Sequence, residues 1–177
     1  SNYHLTKFDD QFEKMGINEK KAESAGYVKV EESKTDYNVL RKDLSHYLLK
    51  IFSENSDSEY PQKIFETGKV FELNKSGEVE EKEKLSVGSC PGDYTQIKQI
   101  LDYLGGMLDL KIEYKEPASY QNLGHFIKGR VAEIHIEGKN AGYIGEIHPR
   151  VLNKWKMRNP VALFEISLEE VFEKLRE

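Results

Sequence analysis

Cysteine is almost missing from this 177-residue chain, and the one thiol, Cys90, excludes an internal disulfide and fits a reducing, cytosolic setting. No apolar run approaches the length of a membrane span, and no signal segment is expected. A basic excess is lacking too: 26 Lys and Arg against 31 Asp and Glu leave a net charge of -5. Phosphate neutralisation supplies most of the affinity for nucleic acid, so a domain of this charge is not expected to bind RNA unaided, and any RNA role belongs to a larger assembly. Histidines number 5, and His125, His135 and His148 lie about ten residues or more apart, without the close pair a zinc site uses. Cys90 has no adjacent His or basic residue to depress its pKa, so it is not expected to be a nucleophile. What is present is 38% hydrophobic and 11% aromatic content, enough for one core. Ser1-Asn2 reads as an expression remnant and the chain as a fragment.

The pattern along the chain alternates hairpins with helices. Phe8, Phe12 and Met15 fall on one face of a short helix ending at Gly16, a polar helical continuation is expected over 19–24, and 27–30 reads as a short strand. Tyr37-Asn38-Val39-Leu40-Arg41 leads into a helix whose apolar face is Leu44, Tyr47, Leu48, Ile51 and Phe52, with Asp43 near its positive end. Residues 64–73 form a strand in which Gly68 marks a bulge, and 85–88 pairs back as its antiparallel partner across a turn at 74–77 and a charged rim at 78–84. Asp93 and Gln96 cap a helix with Ile97, Ile100, Leu101, Leu104 and Leu108 inward, and Gly105-Gly106 leaves room for a close neighbour. After a strand at 110–114 and a loop at 115–129, residues 130–137 alternate polar with apolar, turn at Gly138-Lys139-Asn140, and return over 141–147 as a strand whose glycines, Gly142 and Gly145, admit a close contact. Pro149 opens a helix with Val151, Leu152 and Trp155 inward, residues 161–166 make a central, nearly all-apolar strand, and Ser167 to Glu170 read as a capping box for a last short helix. This order predicts an α+β domain, an antiparallel β-sheet flanked by helices, over residues 1–177, with 1–36 an extension packing on it.

Chemistry is thinly marked. Glu66 and Glu146 sit in strands that could face one cavity as general acid and base; the favoured alternative is that each pairs with a nearby Lys or Arg. Gly142 and Gly145 follow a hairpin turn rather than opening a phosphate loop, and Arg41, Arg130, Arg150, Arg158 and Arg176 are scattered. Nothing in the residues themselves demands ATP.

Four strings, in register, carry a family resemblance. Tyr60-Pro-Gln-Lys-Ile-Phe-Glu-Thr-Gly-Lys-Val-Phe71, Gly145-Glu-Ile-His-Pro-Arg-Val-Leu152, Asn38-Val-Leu-Arg-Lys-Asp-Leu44 and Val161-Ala-Leu-Phe-Glu-Ile-Ser-Leu168 resemble the β subunits of phenylalanyl-tRNA synthetases, over about residues 5–177. The resemblance implies the catalytic-like module near that subunit's carboxyl end, with a class II aminoacyl-tRNA synthetase fold. It also implies loss of the catalytic signature. The second-motif strand, Ile64-Phe65-Glu66-Thr67-Gly68, has no arginine, and the third motif runs Phe164-Glu165-Ile166-Ser167-Leu168-Glu169-Glu170 where an arginine is expected. Acidic groups there repel ATP phosphates.

The expected role is therefore a non-catalytic module that packs on the catalytic α subunit of an α2β2 phenylalanine–tRNA ligase and helps position it on tRNA(Phe), in the cytoplasm. No cofactor is expected on this chain; ATP and magnesium are expected in the holoenzyme. The subunit interface is predicted at Tyr37, Leu40, Arg41, Leu44, Tyr47, Leu48, Ile51 and Phe52, because this segment is rich in aromatics and arginine, as interface cores are. Two alternatives stand beside it: a module with adenylate-forming activity of its own, and a stand-alone paralogue that binds an amino acid or small molecule.

Overall fold

The computed structural model describes residues 4–17, 26–30, 34–74, 76–120 and 122–176. In chain order these give β1 (Leu5–Lys7), a π-helical turn (Asp9–Glu13), β2 (Tyr37–Leu40), α1 (Ser45–Glu54), β3 (Gln62–Leu73), β4 (Val79–Cys90), α2 (Tyr94–Met107), β5 (Ile112–Lys115), β6 (Phe126–Ile136), β7 (Lys139–Ile147), α3 (Pro149–Lys154), β8 (Ala162–Ser167) and α4 (Glu169–Leu175). β1 and β2 pair with each other, and the other six strands form one antiparallel sheet in the order β3-β4-β8-β7-β6-β5. The chain is an α+β protein, an antiparallel sheet with helices packed on it. Residues 27–30 add a short rung to β2, through a bridge between Lys29 and Val39. The helical continuation expected over 19–24 lies outside the described residues.

The two faces of the sheet build two cores, because successive strand residues point to opposite sides. Leu163 faces α1 and packs with Leu48, Leu49, Phe52, Val131 and Ile147. Its neighbour Phe164 faces α2 and packs with Ile97, Leu101, Ile134 and Ile144. Both sides of β8 are thus buried, which is why its sequence is nearly all apolar. Gly88 lets α1 settle onto β4: a Cβ there would lie 3.1 Å from the Phe52 ring. Asp93 caps α2 by accepting from the Gln96 amide at 2.8 Å, and Gly105 admits Ile112, whose Cδ1 would be 2.5 Å from an added Cβ.

Three local expectations are corrected. Gly68 marks no bulge, since β3 and β4 stay in unbroken register from Gln62–Cys90 to Leu73–Val79. A Cβ there would stand 2.1 Å from an Arg41 guanidinium nitrogen, so any side chain would displace the guanidinium. The rim expected at 78–84 is mostly strand, since β4 begins at Val79 and its lysines pair with acids, Lys82 with Glu72 and Lys84 with Glu165. At the last helix, Ser167 Oγ accepts from the Glu169 amide at 3.2 Å rather than from Glu170, so the capping box is replaced by a tighter turn ending at Leu168. Among the described residues no helix is long and apolar enough to cross a membrane.

Candidate functional site

On the α1 side of the sheet, beneath the π-helical turn, lies a cavity of about 160 Å³. Phe12, Met15, Leu123, Phe126 and Leu163 form its apolar walls, and Lys42, Asp43, Lys84, His125, Tyr143 and Glu165 its polar end. The glycine of β7 shapes the floor: at Gly145 a Cβ would meet the Phe126 ring and the Arg130 carbonyl at 2.8 Å, so the ring occupies the space that Gly145 leaves open. Gly142 serves a different contact, the β8 backbone, where a Cβ would stand 1.9 Å from the Glu165 carbonyl oxygen. Both strand glycines are therefore required for close approach.

The polar end is a closed set of charges. Lys84 of β4 donates to Glu165 of β8 at 3.0 Å, and the Leu44 amide at the start of α1 donates to the other Glu165 oxygen at 2.8 Å. Burial pushes the Glu165 pKa up, against the opposing pull of Lys84. For Lys84, burial pulls the pKa down, but the charge and hydrogen bond of Glu165 outweigh it. Asp43 accepts from Gln11 Nε2 at 2.5 Å, from Ser45 Oγ at 2.9 Å, and contacts His46 Nδ1 at 3.1 Å. Burial raises the Asp43 pKa, yet His46, Lys84 and His125 together take it below the ordinary carboxylate range. His125 is depressed from 6.5 to about 4 by burial, and its Nδ1 has no hydrogen-bond partner. The set offers neither a free cation for an anion nor an unpaired carboxylate for proton transfer.

A relay runs from this end toward the amino terminus. His46 Nε2 lies 3.1 Å from Thr6 Oγ1 while its Nδ1 faces Asp43. Hydroxyl, imidazole and carboxylate stand in the order of an activated nucleophile. Thr6 is only 2% exposed and His46 is fully buried, so no substrate reaches the hydroxyl. The relay anchors β1 to α1.

The structure separates the residues singled out from sequence. Glu66 shares its side of β3 with Ile64, which faces the α1 core, and lies 3.6 Å from Arg41. Glu146 shares its side of β7 with Ile144 on the α2 face, bonds Arg130 at 2.7 Å and accepts from the Tyr94 amide. On opposite faces of the sheet they cannot act as one acid–base pair. Cys90 is buried, and burial pushes its thiol pKa up. Of the eight residues expected at a subunit interface, Arg41, Leu44, Tyr47, Leu48 and Phe52 are buried within this fold. That is a correction with a simple cause: the helical stripe that looked like an interface is the face of α1 that covers the sheet. Tyr37 remains exposed, and Leu40 and Ile51 are half-buried. Lys84, Asp43 and His125 were missed from sequence. Glu165, a charge inside an apolar strand, was the available signal of a buried ionic site.

Residues 1–168 match the family described as the phenylalanyl tRNA synthetase beta chain CLM domain. The chain belongs to that family. Its relatives include phenylalanine–tRNA ligase β subunits of Thermococcus sibiricus and Pyrococcus furiosus, 37% and 38% identical over 96% of this chain. The Methanocaldococcus jannaschii β subunit is 34% identical over 95%. The chain spans 30% of the length of each of these three curated relatives. A pyrrolysyl tRNA synthetase from Desulfitobacterium hafniense superposes with a TM-score of 0.71 at 14% identity, covering 99% of this chain and 60% of that one, which shows a shared fold.

Proposed function

We propose that this member of the family is a non-catalytic, class II synthetase-like module of a phenylalanine–tRNA ligase β subunit. In this reading it packs on the catalytic α subunit of an α2β2 enzyme that charges tRNA(Phe) with phenylalanine in an ATP-dependent reaction. The observation that carries the reading is Glu165 at the polar end of the cleft, committed to Lys84 and the Leu44 amide. A nucleoside triphosphate needs cations there. The cleft sets two carboxylates, Asp43 and Glu165, against Lys42 and Lys84, and Arg41 is held by the Lys69 carbonyl at 2.7 Å beside Glu66. A triphosphate is poorly matched to this balance of charge, and in this reading ATP and magnesium are bound by the α subunit.

The partner surface is sought among residues the core leaves out. Tyr37, with Leu40 and Ile51 at its margin, is what remains of the α1 segment, and Phe65, Tyr103 and Met107 are large apolar side chains about 70% exposed. Tyr103 and Met107 stand one turn apart on α2, and exposed apolar groups that neighbour one another mark a surface that a partner covers. Mixing the chain with purified α subunit is expected to give a complex on size-exclusion chromatography, weakened by Phe65→Asp or by Tyr37→Asp. No complex with the unaltered chain would sink the reading.

A further inference from the structure

In a chain of net charge -5, residues 147–164 contain no Asp or Glu and four permanent cations: Arg150, Lys154, Lys156 and Arg158. All four are exposed, while Val151, Leu152, Trp155 and Met157 between them are buried. Arg150 and Lys154 stand one helical turn apart on the outer face of α3. Past the helix, burial alternates, so Lys156 and Arg158 project on the outer side while Trp155 and Met157 anchor the segment. Lysines elsewhere on the sheet and helices find carboxylates, as Lys69 does with Glu81, Lys98 with Asp102 and Lys139 with Glu173. None of these four cations forms an ion pair with a described acidic residue. Two of them donate to backbone carbonyls instead, Arg150 to Gly124 at 2.6 Å and Lys154 to Glu13 at 2.5 Å. Lys14 sits over the Trp155 ring nearby, but Asp9 and Asp10 neutralise it.

We propose that this segment is a contact for the phosphate backbone of an RNA helix. Like charges gathered without counter-ions repel one another, and a polyanion relieves that repulsion while releasing its own counter-ions. The segment lacks the other half of a single-strand site. Its aromatic residues, Trp155 and Phe164, are buried, so no ring is free to stack an unpaired base. Backbone contacts without base contacts position a nucleic acid but do not read its sequence. The choice of RNA rests on the proposed membership of a tRNA-charging assembly; the location rests on charge and burial alone.

The test is fluorescence anisotropy with a labelled RNA duplex of arbitrary sequence, using the chain and its variant K154Q/K156N/R158Q, which spares the Arg150 contact to Gly124. The acidic remainder of the chain opposes this local contact, so by itself the chain is expected to bind only weakly and only at low salt, at about 10 to 100 μM, with log K falling against log salt at a slope of about -3 to -4 between about 50 and 200 mM. The variant should lose about tenfold or more in affinity and about 2 to 3 in slope, with an unchanged circular dichroism spectrum. A second duplex of different sequence should bind equally, and single-stranded RNA no tighter. No binding by the unaltered chain at low salt would overturn the proposal, as would full binding by the variant. Equal, competitive binding of poly-glutamate would overturn the RNA assignment in favour of an acidic protein. Complex formation with the α subunit is read separately, so failure here and failure of the module's proposed role are distinguishable.

Discussion

Gly68 shows how one missing side chain can be read in two ways. A glycine inside a strand commonly marks a bulge, yet here it clears the path of a guanidinium that arrives from outside the strand. Gly68→Ala is expected to push Arg41 off the Lys69 carbonyl and to destabilise the fold by about 1 to 3 kcal/mol, read by urea unfolding. His125 gives a second residue-scale expectation. Folded, it titrates at about 4 against its ordinary 6.5, because burial disfavours the cation. Between those values the unfolded chain takes up a proton that the folded chain refuses. The contribution is therefore complete above pH 6.5 and is lost as pH falls through the window, up to about 3 kcal/mol. Glu165, with a raised pKa, acts with the opposite sign and loses stability as pH rises above the ordinary carboxylate value. His125→Gln should flatten the loss of stability between about pH 6.5 and 4; an unchanged profile would show that another group governs it.

At the scale of elements, β8 and its neighbours decide the architecture. β7 approaches β8 so closely at Gly142 that an added Cβ would overlap the backbone, which has no rotamer with which to yield. Gly142→Ala is expected to cost about 3 kcal/mol or more and to lower the yield of folded protein, measured by thermal melting against the parent. The element types were legible. The α1 stripe, the capped α2, the hairpin of β6 and β7 and the Pro-started α3 all follow from periodicity and terminal residues. What periodicity left open was the direction in which α1 faces. An amphipathic stripe states that a helix is covered, and gives no indication whether its own sheet or another subunit covers it. Gly88 beneath Phe52 and Leu48 answers that, and becomes visible only once β4 lies under α1.

For the whole molecule, the charges of the cleft are spent on one another, and the proposed role follows from that balance. Phenylalanine-dependent exchange of label between pyrophosphate and ATP is expected to be absent for this chain, measured beside an active α-containing enzyme as control. Exchange above background would revive the reading of a module active on its own. Sequence by itself indicated most of the helices and strands of the large sheet, the buried central strand and the family. These are local or linear properties, written in periods of two and 3.6 residues and in short strings. Tertiary structure alone decided which charges neutralise one another. Lys84 and Glu165 are 81 residues apart, and Leu44 and Glu165 are 121 apart. Such partners meet because strand order places β4 beside β8 and α1 above them, and no periodicity along the chain encodes that adjacency.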